Sequence, residues 1–254
     1  MGLFFLYHST IPDMAMRCFL PIFVFIFAIS GNPTARLYAQ VKLSVGATAG
    51  YASFSMKDLK AYQREKLLQF DLPMKVVDEF PPYLNYGANF TVNTKSGLFE
   101  AFLGHTSTGG RIHYGDYSGY ASEELLAKMT YVGLMAATRL FKVKSVGVYG
   151  GIQALHYFNT LKINDTEVLY DSDWNQYNSF SVKSMNIAFA PVIEIQHQVK
   201  KFLLKTNISY EMHVCGSLAY DENGDYTLKN ASEDDVKLDP SGIRWNLGIG
   251  YILN

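Results

Sequence analysis

Near residue 210 the chain places a hydroxyl, a carboxylate and an imidazole at alternate positions, Ser209, Glu211 and His213. In a hydrolase such groups serve as nucleophile, orienting acid and general base. Alternate residues of a strand share one face but lie about 7 Å apart, which is too far for a hydrogen bond between nucleophile and base. The spacing therefore favours side chains that fill a polar interior, and catalysis is the alternative interpretation.

Other sites of chemistry have less support in the sequence. The stretch DENGD, Asp221–Asp225, weakly resembles a calcium-binding loop but lacks the glycine at the sixth position and the distant glutamate. There is no phosphate-binding glycine motif and no His/Cys spacing typical of a metal site. The two cysteines, Cys18 and Cys215, form no disulfide framework, and a net charge of −1 offers no basic surface for nucleic acid. We therefore predict no cofactor, no metal site and no nucleic-acid partner.

The elements that carry these residues alternate between apolar and polar side chains. In SGIRWNLGIGYILN (241–254), large apolar residues occupy the odd positions from Ile243 to Leu253, and polar or small residues occupy most even ones. A period of two indicates a β-strand. Several of these stretches are longer than a typical globular strand and reach the 9 to 11 residues that a membrane-crossing strand needs. The pattern recurs around residues 41–51, 84–93, 99–104, 131–141, 146–153, 184–196 and 204–214.

The connections between these eight strands alternate in length. Short turns are predicted near 94–97, 142–145 and 199–202, and long loops at 57–81, 109–122, 163–178 and 221–240, the first with helical spacing. Long loops at one end and short periplasmic turns at the other are the plan of an outer-membrane barrel. We therefore predict an all-β protein, an eight-stranded antiparallel up-and-down transmembrane β-barrel. A soluble lipocalin-like barrel is the alternative.

The polar file of each strand is predicted to face the lumen. It is rich in Gly, Ser, Asn and Thr, which suit a lumen that eight strands leave only wide enough for side chains. The apolar file would face lipid, with Tyr86, Trp245 and Tyr251 reaching the headgroup level. Three acids and three bases in the polar file would form a lumenal polar network: Glu100, Arg139, Glu194, Lys205, Glu211 and Arg244.

The N-terminal residues 1–39 are predicted to be a signal peptide. From Met16 a single arginine precedes an apolar run, and a polar stretch then ends at the small Ala39, with the cut before Gln40. The true start is then Met14 or Met16. The run is shorter than the roughly 20 residues of a spanning helix, although an uncleaved anchor is the alternative. The barrel domain is expected to span 40–254.

Aromatic residues are concentrated in two of the predicted long loops. IHYGDYSGY (112–120) and LYDSDWNQYNSF (169–180) mix them with Asp, Asn, Ser and Gly, which is typical of adaptable recognition surfaces. This composition supports contact with an extracellular protein or glycan, and a girdle that simply caps the barrel rim is the plainer interpretation. The predicted recognition residues are Tyr114, Tyr117, Tyr120, Tyr170, Trp174 and Tyr177.

Four features of the chain together resemble the small outer-membrane barrels of Gram-negative bacteria. These are the signal, the AQ dipeptide at 39–40, the eight alternating strands and the Trp/Gly/Tyr-rich last strand. They are most similar to the porin-like outer-membrane β-barrel domain proteins of Bacteroidetes. That resemblance implies insertion into outer-membrane lipid by the barrel assembly machinery through the C-terminal strand. The chain ends in Asn254 rather than the usual aromatic residue, so Tyr251 and Leu253 would supply the insertion signal.

The function expected of such a barrel is structural or surface-binding, without a catalytic site. A narrow porin-like channel for small solutes is one alternative, although aqueous pores occur at larger strand numbers. A lipid A-modifying enzyme, such as a deacylase or palmitoyl-transferase using His213, is a second alternative.

Overall fold

The computed structural model describes residues 41–69, 72–171, 174–221 and 224–253. The predicted signal peptide and its cut site lie outside these described residues. These described ranges form ten strands and one helix: β1 (Lys42–Ala52), α1 (Lys57–Gln69), β2 (Lys75–Glu79), β3 (Tyr83–Asn93), β4 (Gly97–Gly115), β5 (Gly119–Val143), β6 (Val146–Leu169), β7 (Asn175–Val199), β8 (Phe202–Cys215), β9 (Ala219–Tyr220) and β10 (Gly242–Ile252).

Eight of the strands form a closed antiparallel barrel. Their order is β4–β3–β1–β10–β8–β7–β6–β5, and β5 pairs with β4 to complete the ring. The first and last strands close it in continuous register, from Ser44 opposite Ile252 to Ala52 opposite Arg244. At the level of the short strands, closure pairs every strand with a neighbour on both sides, as a hydrocarbon environment requires. The predicted eight-stranded up-and-down barrel is confirmed. Within the described ranges no helix is both long and apolar enough to span a bilayer.

The two faces of the barrel wall are assigned as the alternation predicts. On the outside, Leu247 and Ile208 keep 52% and 50% of their surface exposed. On the inside, Glu194 is fully buried and Asn207 is 8% exposed. A lipocalin-like barrel would reverse this arrangement, since its apolar file fills the interior. The outward apolar band identifies a barrel whose surroundings are lipid.

The strands differ greatly in length, which the sequence did not predict. β1, β3 and β10 have 11 residues each, whereas β5 and β7 have 25. An apolar band about 25 Å tall accounts for the short strands. The membrane-spanning part comprises β1, β3, β8, β10 and residues 97–107, 131–143, 146–158 and 185–199 of the four long strands. The upper halves of those strands, residues 108–115, 119–130, 159–169 and 175–184, form what we call the extension, together with α1, β2, β9 and residues 216–221 and 224–241.

The prediction of long loops is wrong at two of the four positions. Residues 109–122 and 163–178 are mostly strand: β4 ends at Gly115 and β5 begins at Gly119, and β6 ends at Leu169 and β7 begins at Asn175. The physical reason is that the faces exchange character above the membrane-spanning part. The inner file becomes apolar and the outer file becomes polar, so the expected alternation of apolar-out and polar-in no longer holds there.

The extension has an apolar core of its own. On the inner faces of β5, β6 and β7, side chains such as Leu125, Leu161 and Val182 are fully buried. The predicted helix over the first connection is confirmed as α1, which packs Leu59 and Tyr62 onto this core. The connection between β8 and β10 covers the remaining face with Leu218, Leu228, Val236 and Leu238.

Glycines make room for large side chains inside the lumen. A Cβ on Gly104 would lie 2.4 Å from the ring of Tyr131, and one on Gly133 would lie 2.5 Å from the ring of Phe102. The two rings meet edge to face with centroids 6.3 Å apart. A narrow barrel accommodates such rings only where the wall beside them lacks a side chain.

Candidate functional site

The lower lumen contains a buried ion pair on facing strands. Lys205 Nζ lies 2.5 Å from Glu100 Oε2, and both side chains are almost fully buried. Thr91 donates its hydroxyl to the same carboxylate oxygen at 2.7 Å. Because the pair is removed from water, its charges interact strongly, and loss of either partner would leave an uncompensated buried charge.

A second buried ion pair lies above the first. Arg244 Nη2 lies 3.0 Å from Glu211 Oε2, and the Tyr157 hydroxyl donates to that oxygen at 2.7 Å. His213 Nε2 is 3.2 Å from the same atom. Among the described residues no hydrogen bond joins Ser209 to His213. Glu211 is thus the centre of a structural cluster, and the triad-like sequence places no nucleophile beside a base.

The other two charges of the predicted network are not ion-paired in the described part of the chain. Glu194 Oε1 accepts a hydrogen bond from Gln196 Nε2 at 2.7 Å. Arg139 donates to the backbone oxygen of Thr94 at 3.1 Å, near the lower turn, and its guanidinium lies 5.6 Å from the ring centroid of Tyr149. The structure therefore brings four of the six charged residues together as two pairs.

The space left inside this polar layer is small. A cavity of about 30 Å³ lies between the two ion pairs, bordered by Asn85, Tyr131 and Gln153. That volume holds one or two water molecules. Above it the apolar core of the extension occupies the barrel axis. The lumen is consequently packed with side chains rather than open as a solute path.

Three of the six predicted recognition residues come together on the outer face of the extension. The ring centroids of Tyr120 and Tyr170 are 6.4 Å apart, and the ring of His113 lies 6.0 Å from that of Tyr120. Tyr177, two-thirds exposed, is hydrogen-bonded to Tyr120 through its side chain. We call His113, Tyr120, Tyr170 and Tyr177 the aromatic tip.

The other three predicted recognition residues are separate from this group. Tyr114 points inward, packs against the buried cluster that contains Ile112 and Ala121, and donates its hydroxyl to Asp116 Oδ2 at 2.9 Å. Tyr117 is 94% exposed at the turn after β4, and Trp174 is half exposed at the turn before β7. Asp116 shapes its turn by accepting the amide and hydroxyl of Ser118 at 2.8 and 2.6 Å, which lowers the pKa of the carboxyl.

A cleft of about 380 Å³ separates α1 from residues 227–231. Its floor carries Phe180 and Tyr220, whose rings stack with centroids 5.6 Å apart. Several of its polar groups are already engaged within the protein. Glu65 Oε2 accepts the amide of Ala231 at 2.9 Å, and the Asn230 side chain accepts two amides of its own turn. The cleft therefore makes α1 one wall of a surface depression but specifies no ligand class.

Sequence reasoning missed one polar pair inside the extension. Glu123, 3% exposed, is the cross-strand neighbour of Asp165. The available signal was a carboxylate in an otherwise apolar inner file, since Glu123 shares its file with Leu125, Ala127 and Met129. No three His, Cys, Asp or Glu side chains gather as a metal site in the described ranges. The calcium-like stretch at 221–225 is described only in part, because residues 222 and 223 lie outside those ranges.

Comparison with known proteins identifies no relative by sequence. No family model matches the chain, and no curated protein matches it. Among solved structures, the chain is similar to Ail, the attachment invasion locus protein of Yersinia pestis, in a crystal structure of its complex with the heparin analogue sucrose octasulfate. The two share 15% identity over 85% of this chain and 99% of that one, with a TM-score of 0.34. At that score no function follows from the likeness, and the assignment as an outer-membrane β-barrel depends on the closed ring and its lipid-facing band.

Proposed function

We propose that the protein is an integral outer-membrane barrel that acts as a surface-binding protein through its extension. The observation that carries the proposal is that four strands continue beyond the lipid-facing band and build a second, apolar-cored unit. On β5 this continuation covers residues 119–130, roughly 40 Å along the strand. An anchor alone would need no such unit, since the short strands β1, β3 and β10 already cross the band.

The aromatic tip is the proposed contact surface. Tyr170 and Tyr177 are each at least 60% exposed although aromatic side chains are costly to leave in water. Tyrosine offers a large, rigid contact area and a hydroxyl at low entropic cost, which suits binding to a protein or a glycan. His113, Tyr120 and Tyr177 lie on paired strands and Tyr170 directly follows the end of β6, so most of the tip is preorganised.

The proposal includes a cellular arrangement. Residues 1–39 direct export as a signal peptide, and residues 40–254 form the barrel domain inserted by the barrel assembly machinery. The short turns at 94–96, 144–145 and 200–201 face the periplasm, so the extension lies outside the cell. The assignment to the porin-like barrels of Bacteroidetes rests on the sequence pattern alone and stays part of the proposal.

The two alternative functions have less support from the geometry. A channel would need a solute path through the level at which Lys205 pairs with Glu100 and Arg244 with Glu211. A lipid A-modifying enzyme would need an activated nucleophile, whereas His213 lies against a carboxylate that Arg244 and Tyr157 already bind. We therefore propose neither conduction nor catalysis.

The test is binding by cells that display the protein. Cells expressing the wild type are applied to a panel of immobilised glycans and extracellular-matrix proteins, beside cells expressing Tyr120→Ala/Tyr170→Ala/Tyr177→Ala. We expect binding to at least one class and its loss in the triple variant. Tyr226→Ala, which removes an equally exposed tyrosine elsewhere in the extension, is the matched control and should bind as the wild type does.

Two further measurements keep the result interpretable. Heat-dependent mobility on a gel verifies that each variant is a folded barrel, and planar-bilayer recording of the wild type should show no conductance steps. Absence of binding across the panel, or equal binding by the triple variant, would contradict the proposal.

A further inference from the structure

Glu123 and Asp165 face the interior of the extension from neighbouring strands. They are directly opposite each other across the β5–β6 pairing. Their neighbours along the same inner files, Leu125 and Ile163, are fully buried and apolar. Both carboxyl groups lie in the upper halves of their strands, well beyond the membrane-spanning part.

One oxygen of each carboxyl group has no hydrogen-bond donor among the described residues. These atoms are Glu123 Oε1 and Asp165 Oδ1. Two ionised carboxylates are acceptors only and repel each other, but a single proton between them supplies a donor and removes one charge. Because the two residues are directly opposite each other on the inner face of neighbouring strands, their side chains are cross-strand neighbours between which such a hydrogen bond can form.

Helix α1 packs onto the same apolar core, where its Leu59 and Tyr62 cluster with Leu125 and Ile163. Lys66 acts on both carboxyl groups as a positive charge, and its Nζ lies 5.6 Å from the ring centroid of Tyr62. Tyr62 faces the pair from α1, and Tyr220 of β9 lies near Tyr62. Glu124, the next residue, points to the outer face, where Arg111 Nη1 lies 3.9 Å from its carboxylate.

The electrostatics favour retention of a proton. Burial, followed by the charge of Asp165, raises the pKa of Glu123 from its usual 4.5 to about 7, although Lys66 opposes the shift. Burial also raises the pKa of Asp165. A carboxyl group with a raised pKa in the closed state binds its proton more tightly there than in an open, hydrated state. The packing of α1 on the extension is therefore most stable below the usual pKa of the carboxyl group, weakens as pH rises to about 7, and changes little at higher pH.

We propose that Glu123 and Asp165 share one proton and that this proton fastens helix α1 onto the extension. When it is lost, two negative charges remain in an apolar interior opposite one lysine, and hydration of both requires α1 to separate from the strand ends. The remaining polar attachments of α1 are few and mostly at the surface, such as Gln63 to the Asp78 backbone at 3.0 Å and Arg64 to Glu79 at 2.6 Å. Since α1 is one wall of the 380 Å³ cleft, its release widens that cleft.

The direct test is amide hydrogen exchange of the full chain folded in detergent, corrected for intrinsic exchange rates, from pH 5 to 8.5. In the wild type we expect the opening constant of α1 to rise by up to about tenfold per pH unit between pH 5 and 7 and then level off. Glu123→Gln should abolish this dependence and keep α1 protected throughout, because the introduced side-chain amide donates to Asp165 without titrating. Glu124→Gln, the adjacent outward carboxylate, is the matched control and should follow the wild-type profile.

A second readout addresses the proton itself. Infrared difference spectra near neutral pH should show a protonated-carboxyl band that Glu123→Gln removes and Glu124→Gln retains. If Glu123→Gln does not fold, Asp165→Asn supplies the test. An amide at position 165 removes the repulsion between the two carboxylates, so the pH dependence of α1 opening should move to lower pH. The proposal would be overturned if the opening of α1 rose with pH in Glu123→Gln as it does in the wild type. Detection of no protonated carboxyl group below pH 7 would also overturn it.

Discussion

The membrane-spanning part and the extension share the four long strands, yet the inner and outer faces exchange character between them. On β5, Leu134 points outward within the lipid-facing band and Lys128 points outward above it. On the neighbouring β4 the inner file carries Glu100 in the lower region and Ile112 in the upper one. The polarity of the inner and outer side chains of a long strand is therefore reversed between its lower and upper halves.

The exchange follows from what surrounds each region. Acyl chains accept apolar side chains but solvate no charge, so the lower strands turn polar groups inward and must satisfy them there. Water outside the extension accepts charges and excludes apolar surface, so the upper strands pack an ordinary core. The stability of the lower interior depends on specific ion pairs, and that of the upper interior depends on the apolar volume that fills it. Substitutions in the two regions should therefore destabilise the protein in different ways.

The largest effect is expected in the polar interior. Lys205→Met leaves Glu100 buried without its cation and should lower the free energy of unfolding by about 3–5 kcal/mol. Urea unfolding of the barrel refolded in lipid or detergent measures this. The double variant Glu100→Leu/Lys205→Met removes both charges and should recover most of the loss. A cost below about 1 kcal/mol for the single change would show that the pair is hydrated.

The apolar interior should respond to lost volume instead. Leu161→Ala in the extension core is expected to cost about 2–5 kcal/mol through lost burial and a residual cavity. Limited proteolysis should then cut the extension, while the heat-dependent gel mobility of the barrel stays unchanged. Loss of that mobility shift would mean that the two regions unfold as one unit and would weaken the comparison.

The outer faces allow a matched test of the surroundings. Ile152→Arg places a charge near the middle of the lipid-facing band and should destabilise by about 2–4 kcal/mol. Leu126→Arg places the same charge on the outer face of the extension and should stay within about 0.5 kcal/mol of the wild type. Unfolding in lipid vesicles measures both. Equal effects would contradict the assignment of lipid to one region and water to the other.

The fold was predictable because alternation over eight stretches depends on neighbouring residues alone. The outward assignment of Leu247 and Phe90 followed from the polarity of the opposite file, and the structure agrees. The strand lengths were not predictable in this way. Residues 109–122 and 163–178 combine turn-forming residues with aromatics, and only pairing with the adjacent strand shows that they are extended.

The candidate site was predictable in part. The six charged residues were identified because they lie in the polar files of the strands. Alternation cannot show that Lys205 pairs with Glu100 across the lumen, whereas Arg139 donates a hydrogen bond to the backbone of a turn. The tyrosines were identified from loop composition, and the structure groups only Tyr120, Tyr170 and Tyr177. Glu123 was missed because its burial depends on the side chains that lie across the interior of the extension, which come from distant parts of the chain.

The amino-acid sequence by itself determined the period of two, the number of crossings and the side of each strand that lipid contacts, because these depend on local order and side-chain type. The tertiary structure decided how far the strands continue, which charges form pairs and where an acidic pair becomes buried. Those properties depend on what lies across the barrel or above it, and a linear pattern carries no distance between such groups.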